Sequence, residues 1–148
     1  MILMRRTAAT FVLLLVSALM VFAGKEETVQ ELIARAETAK PDDRPGLYVE
    51  AARRQLKAAD ELYTAGKPDE ARVTVGDVVT YSEKAQDAAL QSGKRLKQTE
   101  IALRKMAAQL RDLQRTLSYE DQAPVQAAAE RLENLRTDLQ QRMFGKKK

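Results

Sequence analysis

Residues 68–117 read PDEARVTVGDVVTYSEKAQDAALQSGKRLKQTEIALRKMAAQLRDLQRTL, and the reading of this stretch decides the fold. With Val75 at heptad position a, the a series is Val75, Ser82, Ala89, Leu96, Leu103, Leu110 and Leu117. The d series is Val78, Ala85, Ser92, Thr99, Met106 and Leu113. A seven-residue apolar repeat kept over this distance holds one seam toward a partner helix. The stretch therefore predicts one central amphipathic helix, roughly 70 Å long at about 1.5 Å per residue. Its seam is small between positions 82 and 92 and Leu-rich from Leu96 onward. The flanking positions hold Val79, Tyr81, Ala88, Ala102, Ala107, Gln109 and Gln114, with only Arg95 and Glu100 charged. So wide an apolar stripe predicts packing on several helices of the same chain rather than a two-stranded self-dimer. Gly93 interrupts the stretch at a cost of about 1 kcal/mol relative to alanine. We read it as a kink, with a hinge between the two halves as the alternative.

Upstream, residues 44–65 predict a helix with a stripe of Tyr48, Ala52, Gln55, Ala59 and Leu62, broadened by Ala51, Ala58 and Ala65. Gly66 is a natural C-terminal cap and Pro68 a natural first-turn residue, so this helix and the next predict an antiparallel hairpin. The residues Ala59, Leu62, Gly66, Ala71, Val75 and Val78, with Gly66-Lys67-Pro68-Asp69-Glu70-Ala71 at the turn, carry a family likeness. Residues 55–83 resemble a single tetratricopeptide-type helical hairpin, a family of protein-interaction modules. They depart from it at Gln55, where that family has a large aromatic, and at Glu83, where it has a closing proline. No second copy follows at the family's period of about 34 residues. The likeness thus implies a hairpin and an interaction role, without the stacked groove that several repeats build.

Residues 26–39 predict a short helix with Val29, Leu32, Ile33, Ala36 and Ala39 on one face, Glu26 and Glu27 at its positive end, and Glu31 paired with Arg35. Pro41 and Pro45 stop it, and Asp42 or Asp43 is expected to cap the following helix. After a turn at residues 118–124, a last helix over residues 123–143 carries Val125, Ala128, Leu132, Leu135 and Leu139. Pro124 is expected in its first turn, and Asp138 is expected to pair with Arg142. The resulting fold is all-α: an elongated bundle on one central helix, the first two helices on its Ala/Ser half and the last on its Leu half.

The first 23 residues carry Arg5 and Arg6 before the apolar run Phe11-Val12-Leu13-Leu14-Leu15-Val16, and end on Val21-Phe22-Ala23. This is the pattern of a secretory signal peptide cut between Ala23 and Gly24. The alternative is an uncleaved anchor, since residues 7–23 are at the short edge for a membrane span. Either reading places residues 24–144, a single helical domain, outside the cytoplasm: periplasmic, secreted or held at the inner membrane.

The formal charge is +4, and it falls to +2 without Arg5 and Arg6 and to −1 without Lys146, Lys147 and Lys148 as well. A nucleic-acid binder gathers basic groups on one face, which this near-neutral mixture does not suggest. There is no Cys and no His, which excludes disulfides, thiolate nucleophiles and His- or Cys-built metal sites. No phosphate loop, zincin motif or nucleophile elbow occurs. The carboxylate pairs Glu26/Glu27, Asp42/Asp43 and Glu120/Asp121 sit at helix starts, where dipole effects explain them. The sequence therefore reads as a non-enzyme with no catalytic, metal or cofactor residues.

Three surface features are candidate contact sites. Leu90 and Ile101 fall on the outer side of the heptad wheel and are partner-contact candidates. Lys146, Lys147 and Lys148 form a basic tail suited to weak contact with an anionic membrane surface, at about 1 kcal/mol per residue. Arg104, Arg111 and Arg115 read as a solubilising face, with a weak site for an anionic partner as the alternative. The expected function is an exported helical adaptor or scaffold in the bacterial cell envelope, acting on an unidentified protein partner. The alternatives are a periplasmic holdase-type chaperone and a coiled-coil homo-oligomer.

Overall fold

A computed structural model describes residues 26–145, and among these the chain is helical without strands. The helices are α1 (Val29–Thr38), α2 (Arg44–Thr64), α3 (Pro68–Ser92), α4 (Leu96–Thr116) and α5 (Tyr119–Phe144). The signal segment with its cut at Ala23 and Gly24, and the tail Lys146, Lys147 and Lys148, lie outside the described residues.

The central helix is not continuous. It ends at Ser92 and restarts at Leu96, so the heptad stretch is two helices joined by a turn. Gly93 takes φ 66°, where an L side chain is disfavoured, and its N–H closes α3 on the carbonyl of Ala89 at 2.9 Å. The Ser92 hydroxyl accepts from the N–H of Lys94 at 3.1 Å. Arg95 is also left-handed, at φ 57°. Its guanidinium donates to the carbonyl of Asp42 at 3.1 Å, which ties the turn to the α1–α2 loop. The expected kink is thus a chain reversal. A straight helix of that length would leave half its Leu-rich seam facing water, whereas the break folds both halves into one core.

α2 and α3 form an antiparallel hairpin closed at Gly66, whose φ is 73°. α4 and α5 form a second hairpin. The two hairpins pack together with α3 against α5 and α2 against α4. Around the bundle the order is α2, α3, α5, α4, so the α2–α4 side lies opposite the α3–α5 side. Partners across each side give the directions. Glu83 and Gln86 on α3 meet Arg131 and Leu135 on α5, so those helices are parallel. Arg111 and Glu100 on α4 meet Glu133 and Arg136 on α5, so those are antiparallel. α5 therefore covers both α3 and α4, not the Leu half alone. α1 packs on α2.

The seam residues Val75, Val78, Ala85, Ala89, Leu103, Met106, Leu110 and Leu113 are buried with Leu132, Leu135 and Leu139 of α5. The expected intramolecular bundle is what forms, and the seam is consumed within one chain. A smaller cluster of Ala36, Tyr48, Val49, Ala85 and Ala102 closes the end nearest α1. There Lys84 of α3 lies over the Tyr48 ring at 5.8 Å, a cation–π contact that adds to the hairpin.

Several local expectations change. α1 starts at Val29 because Thr28 and Glu31 form a capping box of the T-x-x-E pattern. Glu31 is so engaged, and Arg35 pairs with Glu27 at 3.1 Å instead. Asp43 stands at the N-cap of α2 but its carboxylate caps nothing; it lies 3.9 Å from Arg95. α5 begins at Tyr119, which puts Pro124 inside the helix beyond its first turn. Asp138 accepts from Gln86 at 3.4 Å rather than pairing with Arg142.

Candidate docking groove

α2 and α4 pack against each other less extensively than the other neighbouring pairs around the bundle. Near their N-termini, Tyr48, Val49 and Ala102 fill the space between them. Further along, the facing positions are long and polar: Arg53, Lys57 and Asp60 on α2, Lys105, Gln109 and Asp112 on α4. Such side chains extend to water rather than fill a seam. A groove of about 620 Å³ results. Its floor is Leu56, Met106 and Leu113, all buried. Among the described residues Arg53, Lys57, Asp60 and Lys105 make no ion pair, whereas Asp112 holds Arg115 at 3.3 Å.

The charge is segregated around the bundle. α2 and α4 carry nine Arg and Lys against five Asp and Glu, a net +4. α3 and α5 carry five against ten, a net −5. The α3–α5 side has a shallower depression of about 320 Å³ over Val75, Gly76, Val79 and Ala128, flanked by Arg72 and Arg131.

Polar contacts between helices hold them in register. Glu100 accepts from Arg136 at 2.7 Å and from Gln140 at 3.4 Å. Gln86 donates to the carbonyl of Leu135 at 3.1 Å. Arg111 and Glu133 join through two contacts of 2.9 Å each. That fork holds the Glu133 carboxyl below its ordinary range, chiefly through the hydrogen bond. Burial pushes the phenols of Tyr48, Tyr63 and Tyr81 up. Among the described residues no three carboxylates gather closely enough to hold a metal ion. No described helix is long and apolar enough to cross a membrane.

The candidates from the sequence do not meet in one place. Leu90 is half-buried and packs against the main core, and Ile101 is half-buried on α4; neither lines the groove. Arg104 is exposed, while Arg111 and Arg115 are spent in pairs. Arg53, Lys57, Asp60 and Lys105 are not among the candidates from the sequence. Their signal is the helical spacing 53, 57, 60 and 105, 109, 112, 116, a polar row beside an apolar one on two helices. The side-by-side placement of α2 and α4 gives that spacing its meaning. No protein-family model, no curated protein and no solved structure matches the chain.

Proposed function

We propose that the protein is an exported helical adaptor or scaffold of the bacterial cell envelope, working by protein–protein contact through the α2–α4 groove. The observation that carries this reading is the groove's chemistry. An apolar floor of Leu56, Met106 and Leu113 lies under a rim on which Arg53, Lys57, Asp60 and Lys105 make no ion pair among the described residues. Helix-in-groove recognition uses this combination: apolar anchors supply affinity and rim charges orient the incoming element. The Arg5-Arg6 leader pattern supports export. The likeness of residues 55–83 to a tetratricopeptide-type hairpin points toward an interaction role.

The test is a photo-crosslinking side chain at Gln109, on the groove, in the native envelope, with Leu90 and Ile101 as comparison positions. One defined protein captured in good yield from Gln109, and not from the other two, supports the docking reading. A smear of many exported proteins favours the holdase-type alternative. No intermolecular product from Gln109 overturns the groove as a docking surface.

A further inference from the structure

The α2–α4 groove has a counterpart on the opposite side of the same molecule. α3 presents to solvent a stripe of Asp69, Val73, Gly76, Thr80, Lys84 and Asp87, at steps of three and four residues. Val73 is 69% exposed. The other large exposed apolar side chains among the described residues, Tyr119 and Phe144, are the end residues of α5, so Val73 alone lies within a helix face. Gly76 and Thr80 keep the stripe slim, Asp69 gives its Val73 end a negative charge, and Lys84 neighbours Asp87 at the other end. This face belongs to the side of net −5, and the groove to the side of net +4.

We propose that the occupant of the groove is a second copy of this chain, which inserts the outer face of α3. The inference rests on the docking reading above and names the partner. Val73 of one copy meets Leu56, Met106 and Leu113 of the next. The Asp69 carboxylate, one turn before Val73, faces Arg53, Lys57 and Lys105. Opposite charges on the two surfaces steer the encounter and suppress same-face pairing. Because groove and stripe lie on opposite sides of the bundle, the contact is head-to-tail. Such a contact leaves a free groove at one end and a free stripe at the other, so it propagates into chains instead of closing as a two-fold dimer.

The experiment is sedimentation velocity on the protein in the form that accumulates in a producing cell. Two variants are used: Lys57→Glu with Lys105→Glu, which spoils the groove, and Asp69→Asn with Val73→Asn, which spoils the stripe. Circular dichroism checks that both remain helical. The wild type should grow in mass with concentration, and its apparent Kd should rise about tenfold near 0.5 M salt, where screening is short-ranged. Each variant alone should be monomeric. An equal mixture should form a one-to-one dimer and stop there, since one copy keeps only its stripe and the other only its groove. A wild type that stays monomeric to about 1 mM overturns the inference. So does association that survives both variants and salt, because it uses another surface. If the wild type is monomeric while Gln109 captures one foreign protein in the envelope, the second copy is wrong and the docking reading stands. If neither is seen, both fall.

Discussion

The carboxylate of Glu100 on α4 receives the Nε of Arg136 on α5 at 2.7 Å, with the Glu100 side chain only 8% exposed. It is the shortest ion pair among the described residues. Gln140, one turn further along α5, donates to the same oxygen. Sliding α4 by a turn would part the carboxylate from both donors and leave it buried without them. The contact therefore sets the register of the second hairpin as well as adding attraction.

Replacing Arg136 with alanine strands that carboxylate. Breaking a fully buried pair costs about 3–5 kcal/mol; because Arg136 is itself 29% exposed, we expect about 2–3 kcal/mol here. The double variant Glu100→Leu with Arg136→Met should recover most of the loss, since an apolar pair carries no desolvation cost. Urea unfolding midpoints at constant slope measure both. An Arg136→Ala protein as stable as the wild type would mean that the carboxylate is solvated.

Ser82 sits at a seam position with no exposure, and among the described residues its hydroxyl has no hydrogen-bond partner. Burying an unpaired hydroxyl is unfavourable, so Ser82→Ala should raise stability by about 1 kcal/mol, seen as a rise of about 4 °C in Tm. Ser82→Leu should lower it, because the close-packed core has no room for the added atoms. A drop in Tm for the alanine variant would show that the hydroxyl has a partner.

Two glycines respond in opposite directions to alanine. Gly93 needs its positive φ of 66° to end α3, so Gly93→Ala should cost about 1–2 kcal/mol. Gly76 is helical and has open space where a Cβ would stand, so Gly76→Ala should add about 0.5–1 kcal/mol. Thermal unfolding of the two variants side by side is the measurement. A Gly93→Ala protein with unchanged Tm would contradict the left-handed turn.

Acid should weaken the α4–α5 contact through Glu133. Its folded pKa is lowered, mainly by the hydrogen bond from Arg111. A lowered carboxyl stabilises the fold fully above the ordinary glutamate range and ceases to as pH falls through the folded value. The stability gap between wild type and Glu133→Gln should thus be constant near neutrality and close below about pH 4. The gap should also be small, because both side chains are more than a third exposed. A gap that persists at low pH would assign the effect to packing.

The helical class and the first hairpin were legible along the chain. Gly66 and Pro68 mark the first hairpin, and the apolar rows through Val75–Val78 and Leu103–Leu110 mark faces that the structure buries. Two things were not legible. The heptad phase runs through Gly93 without a slip, because the two helices bury the same seam against one core. A continuous repeat therefore looks alike whether the chain runs on or turns back. The groove was hidden for a related reason: Arg53, Lys57 and Lys105 read as ordinary surface until α2 and α4 lie side by side.

Local chemistry determined what each segment of this protein can be. Periodicity selects helix, Gly and Pro mark stops, and the residue types absent from the chain limit its chemistry, all through interactions within a few turns. Tertiary structure alone decided that the long repeat folds back at residues 93–95, that α5 covers both halves, and that basic and acidic sides face opposite ways. Those outcomes depend on which apolar faces find one another across the whole chain. Burial is non-directional and rewards whichever arrangement removes the most apolar surface from water, so no single stretch encodes it.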